Sequence, residues 1–119
     1  FEYMKNGITV NGSTATVQVL DNVVQGRGPL PLGDLAQNGI QFGYGSAGLI
    51  RGNTITGHEY TGPGWTAAGI LLFDVYAVEV KTSQNMFRDN QRNLLLLTQQ
   101  ACPHQFGGIY DAWGLCVWD

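Results

Sequence analysis

Three asparagines, Asn22, Asn53 and Asn85, recur 31 and 32 residues apart, each inside a run of apolar and β-branched residues. The runs are Val17-Gln18-Val19-Leu20-Asp21-Asn22-Val23-Val24, Leu49-Ile50-Arg51-Gly52-Asn53-Thr54-Ile55-Thr56, and Val78-Glu79-Val80 leading through Gln84-Asn85 to Met86-Phe87. A turn between two short strands needs a residue that tolerates the left-handed region of backbone space, and asparagine is one of the few that does. Stacked carboxamides also donate and accept along their pile, so each satisfies the next inside a dry interior. The spacing therefore predicts a coil that brings the same turn back above itself.

A second series keeps step with the first. Gly7-Ile8-Thr9-Val10, Gly39-Ile40-Gln41-Phe42, Gly69-Ile70-Leu71-Leu72 and Asn93-Leu94-Leu95-Leu96 each pair a small or amide residue with an apolar run, and Gly114-Leu115-Cys116-Val117-Trp118 closes the set. Their starts lie 32, 30, 24 and 21 residues apart, a period in the range of solenoid repeats. The expectation is one all-β domain over 1–119, with repeats at about 7–38, 39–68, 69–92 and 93–113 and a partial rung at 114–119. Each repeat would form one rung of a stack in which neighbours supply each other's core.

The stretches from Asn38-Gly39-Ile40 to Gly52-Asn53-Thr54-Ile55-Thr56-Gly57, and from Ala68-Gly69-Ile70 to Gln84-Asn85-Met86-Phe87-Arg88-Asp89-Asn90, resemble the parallel β-helix repeat of the pectate-lyase-like superfamily. The resemblance covers about 1–97 and implies a right-handed parallel β-helix of about three to four rungs. It implies a fold and no particular activity, because that superfamily includes lyases, hydrolases, epimerases, tailspikes, adhesins and structural proteins. The paired aspartates, Gly-His-Gly and Arg-x-Lys of its polygalacturonase-like members are missing here. Cys102-Pro103-His104-Gln105 lacks both acids of the Asp-Pro-His-Glu found in alginate epimerases. No catalytic residue and no cofactor is assigned.

Charge excludes one class of partner. Six Lys+Arg against nine Asp+Glu give a net charge of −3, and the arginines at 27, 51, 88 and 92 are scattered, so no positive field attracts a phosphate backbone. The apolar run Leu94–Leu97 is far short of a membrane span of roughly 20 residues. The chain begins at Phe1, so its start is expected to follow processing or trimming. Cys102 and Cys116 would close a loop around Pro103, Gly107 and Gly108 as a disulfide, which places the chain in an oxidising, secreted or cell-surface setting. Cys102, His104 and Cys116 have metal-binding atoms, but three ligands without a fourth favour the disulfide, and no metal is assigned.

Two stretches, Arg27–Gln37 and His58–Thr66, follow the second strand of their rungs and are expected to emerge side by side as loops. They carry Asp34, His58, Glu59, Tyr60 and Trp65, carboxylates and an imidazole beside aromatic faces, a surface suited to sugars. The alternative is a pair of long turns with Trp65 folded back as a plug. Glu79 and Lys81 read as a solvated ion pair on one strand face. Asn11-Gly12-Ser13 fits a glycosylation sequon at a turn.

The leading functional expectation is an extracellular structural module of a fibre, filament or adhesin. Terminal rungs expose unpaired backbone groups over an apolar core, so the chain is expected either to be a fragment of a longer β-helix or to associate head to tail into an open filament, the alternative being that Phe1 to Lys5 and the Cys102–Cys116 loop cover the ends. The alternative is a carbohydrate-binding or carbohydrate-active β-helix that uses the loop flank.

Overall fold

The structure is a computed structural model of the 119-residue chain, describing residues 5–76, 79–97, 109–110 and 116–118. The described residues are all-β, and no helix among them is long and apolar enough to cross a membrane. Nine strands form the body: β1 (Asn6–Asn11), β2 (Thr16–Leu20), β3 (Val23–Leu30), β4 (Asn38–Gly43), β5 (Ala47–Arg51), β6 (Thr54–Tyr60), β7 (Ala68–Phe73), β8 (Val80–Ser83) and β9 (Met86–Arg88). Then follow β10 (Arg92–Leu97), β11 (Ile109–Tyr110) and β12 (Cys116–Trp118).

Every third strand lies beside its predecessor. The first sheet contains β1, β4, β7 and β10 in that order, the second β2, β5 and β8, and the third β3, β6 and β9, all paired in parallel. Each circuit of the chain thus adds one strand to each sheet, an arrangement compatible with a β-solenoid. Register follows the apolar repeat: Ile8 stands opposite Ile40, Ile40 opposite Ile70 and Ile70 opposite Leu94, while Val10, Phe42, Leu72 and Leu96 align two residues on. A one-residue slip would turn these side chains out of the core, so alternation pins the pairing.

The core is the set of inward columns. Ile40, Phe42, Ile50, Ile55, Ile70, Leu72 and Val80 are fully buried and pack in one cluster with Val10, Val19, Val24, Val75, Leu94 and Leu96. Fully burying each large aliphatic side chain contributes roughly 1.5–3 kcal/mol. Gly48 admits the coil beneath it: its φ is 148°, and a Cβ there would collide with the Val17 carbonyl oxygen. On the outward side of the first sheet Leu71 and Leu95 are also buried and cluster with Ala68 and Leu97, where the equivalent residues of the earlier coils are Thr9 and Gln41.

Two expectations are corrected. The segment expected to open a fresh rung at 114–119 instead contains β12, which runs antiparallel to β10 with Leu95 opposite Val117, and β11 pairs antiparallel with β12. Over these residues the chain has reversed direction, so it does not continue the parallel ladder. The expected loops at 27–37 and 58–66 begin too early, because β3 and β6 run on through Leu30 and Tyr60, paired at Gly28–His58, Pro29–Glu59 and Leu30–Tyr60. Glycines and a proline in β3 mask strand character in the sequence, and the strand accommodates them through an irregularity between Gln25 and Gly28.

Candidate functional site

The bends between the second and third sheets are built from amides. The Asn22 backbone N–H and Nδ2 both donate to Asn53 Oδ1, at 2.9 and 3.0 Å, and the Asn53 N–H and Nδ2 both donate to Asn85 Oδ1 at 3.0 Å. Each upper side chain also reaches back: Asn53 Nδ2 donates to Val19 O at 2.9 Å, and Asn85 Nδ2 to Ile50 O at 3.0 Å. Asn53 is wholly buried, so these bonds supply what water cannot. The left-handed residue of each bend is the one before the asparagine: Asp21 (φ 54°), Gly52 (φ 72°) and Gln84 (φ 54°). Sequence reasoning assigns that strain to the asparagine, whereas the structure gives asparagine the stacking and its predecessor the turn.

A second pile lies five residues further along and contains His58. The imidazole is fully buried. Its Nδ1 lies 2.8 Å from Asn90 Oδ1, which also accepts the His58 N–H at 3.1 Å, while Asn90 Nδ2 donates to Ile55 O at 2.8 Å. With Asn90 Nδ2 directed at a carbonyl, its oxygen faces the ring and His58 carries its proton on Nδ1. Gly26 and Gly39 make room, since a Cβ on either would stand 2.9 Å from Cδ2 or 3.0 Å from Cε1 of the ring. Burial pushes the imidazole pKa below its ordinary 6.5, partly opposed by the bond to Asn90.

Glutamines close the loops of the third flank. Gln37 Oε1 accepts the Arg27 N–H at 2.9 Å, and Gln91 Oε1 accepts from Tyr60 N at 3.2 Å and Ala67 N at 2.9 Å. Leu30, Ala36, Tyr60 and Ala67 form a small core beneath, so the loops at 31–37 and 61–67 do stand side by side. Asn38 adds a shorter ladder at the start of the first sheet, donating to Asn6 Oδ1 at 3.2 Å and accepting from Ala68 N at 3.1 Å. None of Gln37, Asn38, Asn90 or Gln91 stands out in the sequence as a site residue, although Asn90 lies 32 residues after His58, the same interval that separates Asn53 from Asn85.

The five carbohydrate candidates divide. Asp34 and Trp65 are exposed, Trp65 at 72 % of its surface, and Glu59 is half-buried. His58 and Tyr60 are buried and have become part of the frame, so they present nothing to a sugar. Glu59 lies instead on an open groove of about 480 Å³ along the third sheet, shared with Gln25, Arg27, Thr56 and Asp89. Its floor includes Gly26 and Gly57, close to where β3 departs from regular register. Among the described residues no three of His, Cys, Asp and Glu gather as a metal would require. Cys102 and His104 lie outside the described residues, and with them the expected Cys102–Cys116 disulfide. Asn11 is exposed at the end of β1, beside Gly12 at φ 107°.

No family model, curated protein or solved structure matches this chain.

Proposed function

We propose that this chain is a right-handed parallel β-helix of the pectate-lyase-like kind, serving outside the cell as a structural module of a fibre or adhesin. Right-handedness follows from the general rule for parallel crossover connections within one sheet, of which about 98% turn that way. The observation that carries the structural reading is the use made of the buried polar groups. Asn53, His58, Asn38 and Gln37, all buried, each bond another turn of the chain or clamp a loop base. The interior is given over to holding coils in register, the property a load-bearing or repeating module needs.

Assembly in this reading proceeds through coil ends, where edge strands offer backbone groups to a neighbour. Electron microscopy of the purified chain at rising concentration tests it. Unbranched filaments with an axial repeat of roughly 15–20 Å, three to four rungs at about 4.8 Å each, support the proposal, and particles that stay monomeric throughout overturn it.

A second reading has a specific observation behind it. The groove along the third sheet sets Arg27 beside the carboxylates Glu59 and Asp89 and the amide of Gln25, an open polar surface suited to hydroxyl-rich ligands. Glycan-array binding that Glu59→Ala weakens would favour it, and array-wide silence would remove it.

A further inference from the structure

The groove along the third sheet holds charges of both signs, and they come from three successive coils. Arg27 lies in β3 and Glu59 in β6, while Asp89 follows directly on β9. Successive coils are one strand spacing apart, roughly 4.8 Å, so the order along the stack is a guanidinium, then a carboxylate one step on, then a second carboxylate. Among the described residues none of these three charges is held in an ion pair.

Strand pairing shapes the groove. Gln25 stands opposite Thr56 and Gly28 opposite His58, so two residues of β3, Gly26 and Arg27, face the single Gly57 of β6. Bulges of this kind are over-represented beside active sites, where they re-aim a side chain. Gln25 and Thr56 follow the buried Val24 and Ile55 and so stand on the outer face of the sheet, where the groove opens. Strands stack beside one another along the sheet, so further coils at either end would lengthen this groove and not cover its mouth.

We infer that the groove takes an extended oligosaccharide carrying charges of both signs on neighbouring residues, a uronic acid opposite Arg27 and an amino sugar opposite Glu59 and Asp89. This inference rests on the carbohydrate reading of the groove above and adds to it the class of sugar. The Arg27 guanidinium matches a carboxylate with its planar fork and repels a ligand that is cationic throughout. Glu59 and Asp89 attract an ammonium group and repel a polyanion, so selectivity comes from both signs together. Gln25 and Thr56 supply neutral donors and acceptors for ring hydroxyls, and the volume of about 480 Å³ is that of a small-ligand site. A polypeptide is a poorer match: among the described residues lining the groove Pro29 is the only apolar side chain, and the β3–β6 and β6–β9 pairings already engage the backbone that strand addition would need.

Isothermal titration of the unaltered protein at pH 6, where a sugar amine is charged, tests this with hyaluronan hexasaccharide before and after de-N-acetylation. The treated sugar alternates glucuronate with glucosamine and differs from its parent only in the freed amines. Chitosan hexamer supplies the amine alone, and cellohexaose neither charge. The de-N-acetylated sugar is expected to bind about tenfold or more tighter than each of the other three, the combined effect of two or three exposed ion pairs. Most of that advantage should vanish when salt is raised from about 0.05 to 0.5 M. Glu59→Gln should erase the advantage over the acetylated parent, and Arg27→Gln the advantage over chitosan. An advantage that both variants retain overturns the placement in this groove. Cellohexaose binding as tightly as the de-N-acetylated sugar overturns the charge assignment and leaves the carbohydrate reading standing, whereas silence toward all four sugars overturns both. A peptide alternating Lys and Glu that binds as well as the de-N-acetylated sugar overturns the assignment to a sugar.

Discussion

His58 Nδ1 donates to Asn90 Oδ1 at 2.8 Å, and the contact repeats, bond for bond, the one that Asn53 Nδ2 makes with Asn85 Oδ1 at 3.0 Å. In both pairs the lower residue adds its backbone N–H to the same oxygen. In both, the upper asparagine returns its Nδ2 to the carbonyl three residues before the lower one, Ile55 or Ile50. The histidine is a ladder residue that happens to be titratable.

His58 therefore gives the fold a pH dependence of known sign. Its folded pKa is lowered by burial from 6.5, so above that pH neither state binds the proton and stability is full. As pH falls below 6.5 the unfolded chain takes up the proton first, and stability declines until the folded-state pKa is reached. His58→Asn retains a side-chain N–H donor and is expected to keep stability at pH 7.5 within about 1 kcal/mol while flattening this slope. His58→Leu lacks the side-chain donor and is expected to lose about 1–3 kcal/mol at pH 7.5, and because leucine does not titrate its deficit against the parent should shrink at pH 5.5. Urea midpoints at pH 7.5 and 5.5 for the three proteins check this.

Asn53 is the central rung, donating to Val19 O and Asn85 Oδ1 and accepting from Asn22. Asn53→Ala leaves several of these groups buried without a partner and is expected to cost about 2–4 kcal/mol. Asn22→Ala, at the half-exposed first coil where water can substitute, is expected to cost about 1 kcal/mol or less. Chemical denaturation of both variants gives the comparison, and equal losses would contradict the burial argument.

The ladder was legible because identical residues recur at 22, 53 and 85 with one turn of coil between them. The pile containing His58 was not, since its members differ in type and histidine beside Glu59 reads more readily as surface chemistry. The loop flank was half legible: the excursions after Leu30 and Tyr60 exist, but Gly26, Gly28 and Pro29 disguised the strand before them. The groove could not have been found from spacing, because it arises where strand register breaks between Gln25 and Gly28, a property of pairing and not of either strand alone.

Gly48 tests how closely the coils approach. Its Cβ would collide with the Val17 carbonyl oxygen, and its φ of 148° is one that side chains rarely adopt. Gly48→Ala is expected to destabilise by about 1–3 kcal/mol, visible as a lower thermal midpoint. Gly33→Ala, also at positive φ but with open space around it, separates backbone strain from collision and should cost less.

End-to-end assembly through coil edges is the central functional proposal, and amide hydrogen exchange followed by NMR at rising protein concentration addresses it residue by residue. The account predicts that amides of β1, β2 and β3 facing away from the second coil gain protection as concentration increases, while those of β4, β5 and β6 stay unchanged. First-coil amides that exchange at the same rate at every concentration would contradict it.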